Sequence, residues 1–317
     1  MTIVKQAPVE KVTLGRSGMV STRLGLGTAS WPHRISLQES ITMLQEVMKA
    51  GLRHIDCAPA YQTEHIIGQA MQEIDCPPDI VLATKAGSYS EDSLGFKGRD
   101  YSADTFYRSV ERSLHRFGTD YIDILHIHDA GPQHMKQVFA PDGALAALQD
   151  LKSQGVIGAI GMGALTLRCL QEAAESGSFD VLQIFHTYTL LNQSAATKLL
   201  PYCQQNNISI FNSAPYAGYI LATGAVPDAR YNYSPASAEV IDAVRHLETV
   251  CSQKGVDLPA AAVAFAARHP AVDVVVIASG KPKRIAQWID AIHSPLTDTD
   301  FDELLRAAGG QYDLPRG

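Results

Sequence analysis

Four residues have types and spacings that suit proton transfer at a carbonyl or alcohol carbon. Asp56 ends the run Arg53-His54-Ile55-Asp56, with Tyr61 on the segment just beyond it. Lys85 closes Leu82-Ala83-Thr84-Lys85, and His128 closes Asp123-Ile124-Leu125-His126-Ile127-His128. A free tyrosine titrates near pKa ~10, too high for efficient proton exchange near neutrality. A buried ammonium beside it favours the phenolate and lowers that value, and a carboxylate keeps a buried lysine charged. Asp56, Lys85 and Tyr61 thus read as a relay. His128 can hydrogen-bond the oxygen of the reacting group and hold it in place.

These side chains need a scaffold that brings them together. Runs rich in β-branched residues recur at 24–28, 53–56, 80–84, 121–127, 156–161, 181–185, 208–212 and 272–277, and each reads as a strand. Helical spacing of apolar residues runs between them over 37–50, 64–72, 103–117, 144–153, 165–176, 195–205, 236–253 and 281–292. Alternation of this kind builds a parallel sheet with right-handed crossovers. Eight units suit a closed (β/α)8 TIM barrel better than an open doubly wound sheet, which needs no eighth strand. The expected fold is therefore α/β, one barrel domain over residues 1–317, with no linker or composition shift to divide it. Residues 12–20, with Gly15 and Gly18, read as an N-terminal hairpin that can plug the barrel bottom, and 298–308 as a C-terminal helix. Strand C-termini form the mouth of such a barrel, so the four residues gather there. The connections 87–101 and 213–235 also follow strand C-termini and exceed ordinary loop length, which marks them as functional.

Composition narrows the partners. A net charge of −7 without a basic block gives no electrostatic footprint for nucleic acid or an anionic membrane. The longest apolar stretches, such as 260–267, are far shorter than a bilayer span, and the N-terminus lacks an apolar signal core, so the expected location is the cytoplasm. Cys57, Cys76, Cys169, Cys203 and Cys251 form an odd set without a C-x-x-C pair and read as reduced, mostly buried thiols.

With these residues placed, the sequence resembles the aldo-keto reductase family. Gly51-Leu52-Arg53-His54-Ile55-Asp56-Cys57-Ala58, followed by Tyr61, Glu64 and Gly68, is similar to its first signature. Further matches run through Thr13-Leu14-Gly15-Arg16-Ser17-Gly18, Leu24-Gly25-Leu26-Gly27-Thr28, Lys85 and Asp123 with His128. The resemblance implies an oxidoreductase with the catalytic tetrad Asp56, Tyr61, Lys85 and His128. It also implies NAD(P) as hydride carrier. Candidate cofactor contacts are Gly27, Thr28, Gln183, Ser213, Pro215, Ser279, Lys281 and Arg284; candidate substrate contacts are Trp31 and Tyr216. Ser279, Lys281 and Arg284 suit a phosphate at a helix N-terminus. Three places depart from the family pattern: Gly161-Met162-Gly163-Ala164 lacks its carboxamide-holding Ser/Asn pair, Ala278 replaces a common Gly or Lys, and Trp288 replaces a common Asn. NAD and NADP are not distinguished. Loop motifs, among them His128-Asp129, Tyr188-Thr189-Leu190-Leu191-Asn192-Gln193 and Ala214-Pro215-Tyr216, are similar to the aldose 1-dehydrogenase branch, which oxidises a sugar at C1 to a lactone.

Blander and rival readings stand beside these. His54 and His126 lie two residues before Asp56 and His128, so strand alternation makes them core histidines one layer deeper. Glu64 reads as structural at its helix start. Trp31 and Tyr216 read equally as rim aromatics. A reductase of small aldehydes or ketones is the alternative within the family. His126-x-His128 resembles a metal-ligand pair, so a metal-dependent hydrolase is the remote alternative. A non-catalytic, cofactor-sensing barrel is the third class.

Overall fold

In the structure, a computed structural model that describes residues 8–31, 35–89 and 98–310, all eight β-rich runs are strands. We number them β1 (Leu24–Gly27), β2 (His54–Asp56), β3 (Val81–Ala86), β4 (Ile122–His128), β5 (Ile157–Gly163), β6 (Val181–Phe185), β7 (Ser209–Ser213) and β8 (Val272–Ala278). Each pairs in parallel with its sequence neighbour, and β8 pairs with β1 to close the barrel.

Helices cover the outside: α1 (Leu37–Lys49), α2 (Glu64–Gln72), α3 (Ala103–Phe117), α4 (Ala144–Ser153), α5 (Leu167–Glu175), α6 (Leu199–Gln205), α7 (Ala238–Gln253), α8 (Leu258–Arg268), α9 (Lys283–Ile292) and α10 (Asp298–Ala308). Several of their starts follow capping chemistry. Ser36 and Glu39 form a capping box at α1, and Ser102, Ser237 and Asp257 accept backbone N–H bonds at α3, α7 and α8. Among these ten helices, α8 is the one that the periodicity did not predict. Its sequence is apolar all round because Ala261 to Ala267 are buried on every side, so no amphipathic stripe marks it.

Alternation decides what faces the barrel axis. Leu14, Val81, Ile124, Ala159, Val181 and Val274 belong to a small apolar cluster separate from the main strand–helix core. Leu14 comes from the N-terminal hairpin (Lys11–Leu14 with Met19–Thr22), which stands at the barrel bottom as expected. Arg16 fixes it there by donating to the Phe179 carbonyl and lying 3.9 Å from Asp180 Oδ1.

One layer up are the two core histidines. The rings of His54 and His126 lie 4.8 and 5.9 Å from that of Phe211. A Cβ at Gly25 would fall 2.5 Å from His54 Cδ2, and one at Gly161 would fall 2.3 Å from His126 Nδ1. Glycine at these two strand positions makes room for the imidazoles. Among the described residues, no helix is long and apolar enough to cross a membrane.

Candidate active site

The next inward layer, at the strand C-termini, carries the polar groups. Lys85 Nζ donates to both Asp56 oxygens at 2.7 Å and to the Cys57 carbonyl at 3.0 Å. Both side chains are almost fully buried, so the ammonium is neutralised on the spot by a bidentate carboxylate. Tyr61 follows on a one-turn helix (Pro59–Tyr61), and Lys85 Nζ lies 5.2 Å from the centre of its ring. The His128 ring stands perpendicular to the Tyr61 ring with centroids 5.6 Å apart. All four expected residues therefore meet at one mouth.

Their protonation states differ from the expected relay in one respect. Burial, followed by the carboxylates of Asp56 and Asp129, pushes the Tyr61 phenol well above its ordinary value. The lysine was expected to lower it. Lys85 spends its charge on the bidentate bond to Asp56, so desolvation wins. Burial, with help from the Lys85 and Arg99 charges, pushes His128 down to about 3, leaving a neutral imidazole with a buried Nδ1 that meets no partner among the described residues.

The cofactor-side candidates separate into groups. Gln183 donates from Nε2 to Asp56 Oδ2 at 3.1 Å and to Ser213 Oγ at 2.6 Å. The reverse orientation would face its carbonyl oxygen to a carboxylate, so charge fixes the amide this way round. Gln183 Oε1 is then a buried acceptor without a partner among the described residues. It lies beside Gly163, where an added Cβ would come within 3.3 Å of it. A carboxamide N–H fits this acceptor. At the start of α9, Arg284 N and Ile285 N already bond the Lys281 and Pro282 carbonyls at 3.0 Å and Ser279 Oγ accepts from Lys281 N at 3.1 Å, so it is the charges of Lys281 and Arg284 that suit a phosphate there. These residues fit a nicotinamide dinucleotide. Gly27 lies between Asp56 and Ala278 in the ladder, and Pro215 is buried in the turn after β7.

Three candidates sit differently from expectation. Thr28 is fully buried, with its hydroxyl engaged by the Asp56 carbonyl at 3.1 Å and by Thr63 at 2.9 Å, so it braces the loop after β2. Trp31 is no rim aromatic. It is 1% exposed and donates its indole N–H to the Ser279 carbonyl, which ties the loop after β1 to the one after β8. Tyr216 lies with Trp288 and Arg284 on the α9 side, where burial pushes its phenol up to about 12. His186 is fully buried in the loop after β6. Among the described residues, no three His, Cys, Asp or Glu side chains are grouped to hold a metal ion.

Other groups at the mouth had no catalytic or binding role assigned to them among the site residues expected from sequence. Asp129, His186 and Ala214 are the first residues after β4, β6 and β7, and each has a left-handed backbone, with φ of 54°, 58° and 58°. Non-glycine residues adopt this conformation at a cost, and such strain concentrates at functional sites. His186 Nδ1 meets Asn232 Oδ1 at 2.7 Å, and its ring stacks on Phe185 at 3.8 Å. The 213–235 connection contains a short helix (Ile220–Thr223) and a two-strand pair (Arg230–Tyr231 with Ser234–Pro235) whose turn presents Tyr233, 53% exposed. Part of the 87–101 connection lies outside the described residues; Ser88–Tyr89 pairs with Gly98–Arg99 across it.

The model of the Aldo/keto reductase family matches residues 23–308. The chain belongs to the aldo/keto reductase family. It is thus an NAD(P)-dependent oxidoreductase. It is 28% identical to pyridoxal 4-dehydrogenase of Microbacterium luteolum, covering 95% of this chain and 97% of that one. It is 29% identical to D-threo-aldose 1-dehydrogenase of a Pseudomonas species, covering 86% and 89%. In fold, this reductase superposes on an aldo-keto reductase from Bacillus halodurans in its holo form with a TM-score of 0.82 at 22% identity, over 96% and 98% of the two chains.

Proposed function

We propose that this aldo/keto reductase oxidises an aldose at C1 to the lactone, with Asp56, Tyr61, Lys85 and His128 as its catalytic group and residues 1–317 acting as one domain. The observation that carries the catalytic assignment is the buried bidentate Lys85–Asp56 pair directly beside Tyr61 and His128. The similarity to an aldose and a pyridoxal dehydrogenase supports the substrate class.

NAD(P), when bound, accepts a hydride in oxidation and supplies one in reduction. Gln183 Oε1 would hold the carboxamide end, and Ser279, Lys281 and Arg284 would hold phosphate. His128, neutral at working pH, donates an N–H to the substrate oxygen and orients it. Tyr61 moves the proton: as phenolate it accepts the hydroxyl proton in oxidation, and as phenol it donates one to the carbonyl oxygen in reduction. Lys85 holds charge beside that phenol, and Asp56 holds Lys85 in place.

The raised Tyr61 phenol favours a second reading, net reduction of aldehydes, because the phenol is already protonated near neutrality. Spectrophotometric assay of cofactor reduction with aldoses and pyridoxal, against cofactor oxidation with small aldehydes, separates the two. If small aldehydes are reduced efficiently and no aldose is oxidised at any pH, the lactone-forming assignment fails.

A further inference from the structure

Asp129 follows His128 directly, and strand alternation would turn its side chain away from the barrel axis into the strand–helix layer. The chain prevents this. At φ 54° the backbone leaves the strand in the left-handed region, which Asp tolerates better than most residues, while its N–H bonds the Gly163 carbonyl at 2.8 Å. The carboxylate swings back to the mouth, where Oδ2 lies 4.0 Å from His128 Nε2. It remains 28% exposed and accepts no hydrogen bond from any described residue. A partly buried carboxylate 4.0 Å from the substrate-orienting imidazole has unused acceptor capacity. The groups around it are consistent in kind. The Tyr233 ring stacks with Phe185 at 6.0 Å and lies 5.9 Å from His186, forming an aromatic face at the same mouth. Burial raises Asp129, whose field reaches both Tyr61 and Tyr233. A carboxylate beside an exposed aromatic face suits a compound with hydroxyl groups on a C–H-bearing skeleton.

We infer that Asp129 is the specificity-determining residue that accepts a hydrogen bond from the hydroxyl next to the reacting carbon, selecting α-hydroxy carbonyl compounds and their sugar forms over plain aldehydes. The inference rests on the proposed catalytic site but not on the direction of the reaction.

The test compares kcat/KM for reduction of glyceraldehyde with that for propanal, two carbonyl compounds that share a three-carbon skeleton. Asp129→Asn and Asp129→Gly both tolerate the left-handed backbone, so a fold defect in one leaves the other to report. The wild type is expected to prefer glyceraldehyde. Each variant is expected to lower the glyceraldehyde-to-propanal ratio about 10-fold, since a charge-assisted hydrogen bond is lost for one probe only. A ratio that stays within about threefold of the wild type, through unchanged rates or equal losses on both probes, overturns the inference. So does a wild type without preference. Failure to oxidise any aldose would remove the lactone reading and leave this comparison intact.

Discussion

Tyr61 separates the proton-transfer step from binding. Replacing it with Phe keeps the ring that packs against His128 and removes only the hydroxyl. We expect turnover to fall at least ~10²-fold while cofactor affinity, read by fluorescence titration, stays near the wild-type value. Near wild-type turnover would dismiss the tetrad. The pH dependence follows from the same group. Its phenol is raised, so the phenolate needed for oxidation is scarce near neutrality and oxidation should climb with pH into the alkaline range. Reduction needs the phenol and should hold through neutrality, then fall on the alkaline side. With His128 down at about 3, no limb near neutrality comes from it. Parallel kcat profiles in both directions check this, and an oxidation rate that is flat from pH ~6 to 10 contradicts it. The four residues were legible because each ends or follows a strand and their types make one chemistry. The sign of the Tyr61 shift was not legible, since it depends on where Lys85 directs its bonds. Nor was Asp129, whose turn toward the mouth comes from a backbone angle.

Helix placement explains residues that the catalytic reading left aside. Glu64 was expected only to favour the start of α2, yet it is fully buried and accepts from Thr84 of β3 at 2.7 Å and from Ser113 and Arg116 of α3 at 2.7 and 2.9 Å. It joins three elements next to Lys85. Beside it, Gly68 lets α2 touch α3, for an added Cβ would fall 2.0 Å from the Arg116 carbonyl oxygen. Gly68→Ala should therefore cost ~1–3 kcal/mol despite alanine's higher helix propensity. Urea unfolding checks it, and an unchanged midpoint would show that the helices separate freely. The start of α9 makes a separate prediction: Arg284→Ala should weaken NADP more than NAD, because a guanidinium can grip a 2′-phosphate that NAD lacks. Equal loss for both in a binding titration would place Arg284 on the common part of the cofactor. Helix ends were readable to within a few residues where caps and amphipathic stripes exist. Helix α8 was not, because burial on all sides erases the stripe, and the same burial of a loop misled the reading of Trp31.

For the molecule as a whole, eight evenly spaced strand signals sufficed to indicate a barrel, and the hairpin glycines its floor. That floor is testable: Leu14 is fully buried among inward-facing strand residues, so Leu14→Ala should cost ~2–5 kcal/mol by leaving a cavity there. Thermal and denaturant unfolding report it, with a loss under ~1 kcal/mol showing that the hairpin is a loose cover. The closing seam, where Gly27 of β1 pairs with Ala278 of β8, has a further consequence in time. A ribosome delivers β1 long before β8, so throughout synthesis the first strand carries an open edge that only the last can cover. Asp56 and Lys85 come from neighbouring early strands and can pair while the chain is still growing, whereas Gln183 and the start of α9, where we propose the phosphate is held, emerge later. The proton-handling half of the site can thus be assembled at birth, and the half that selects the cofactor is completed by the same event that seals the edge.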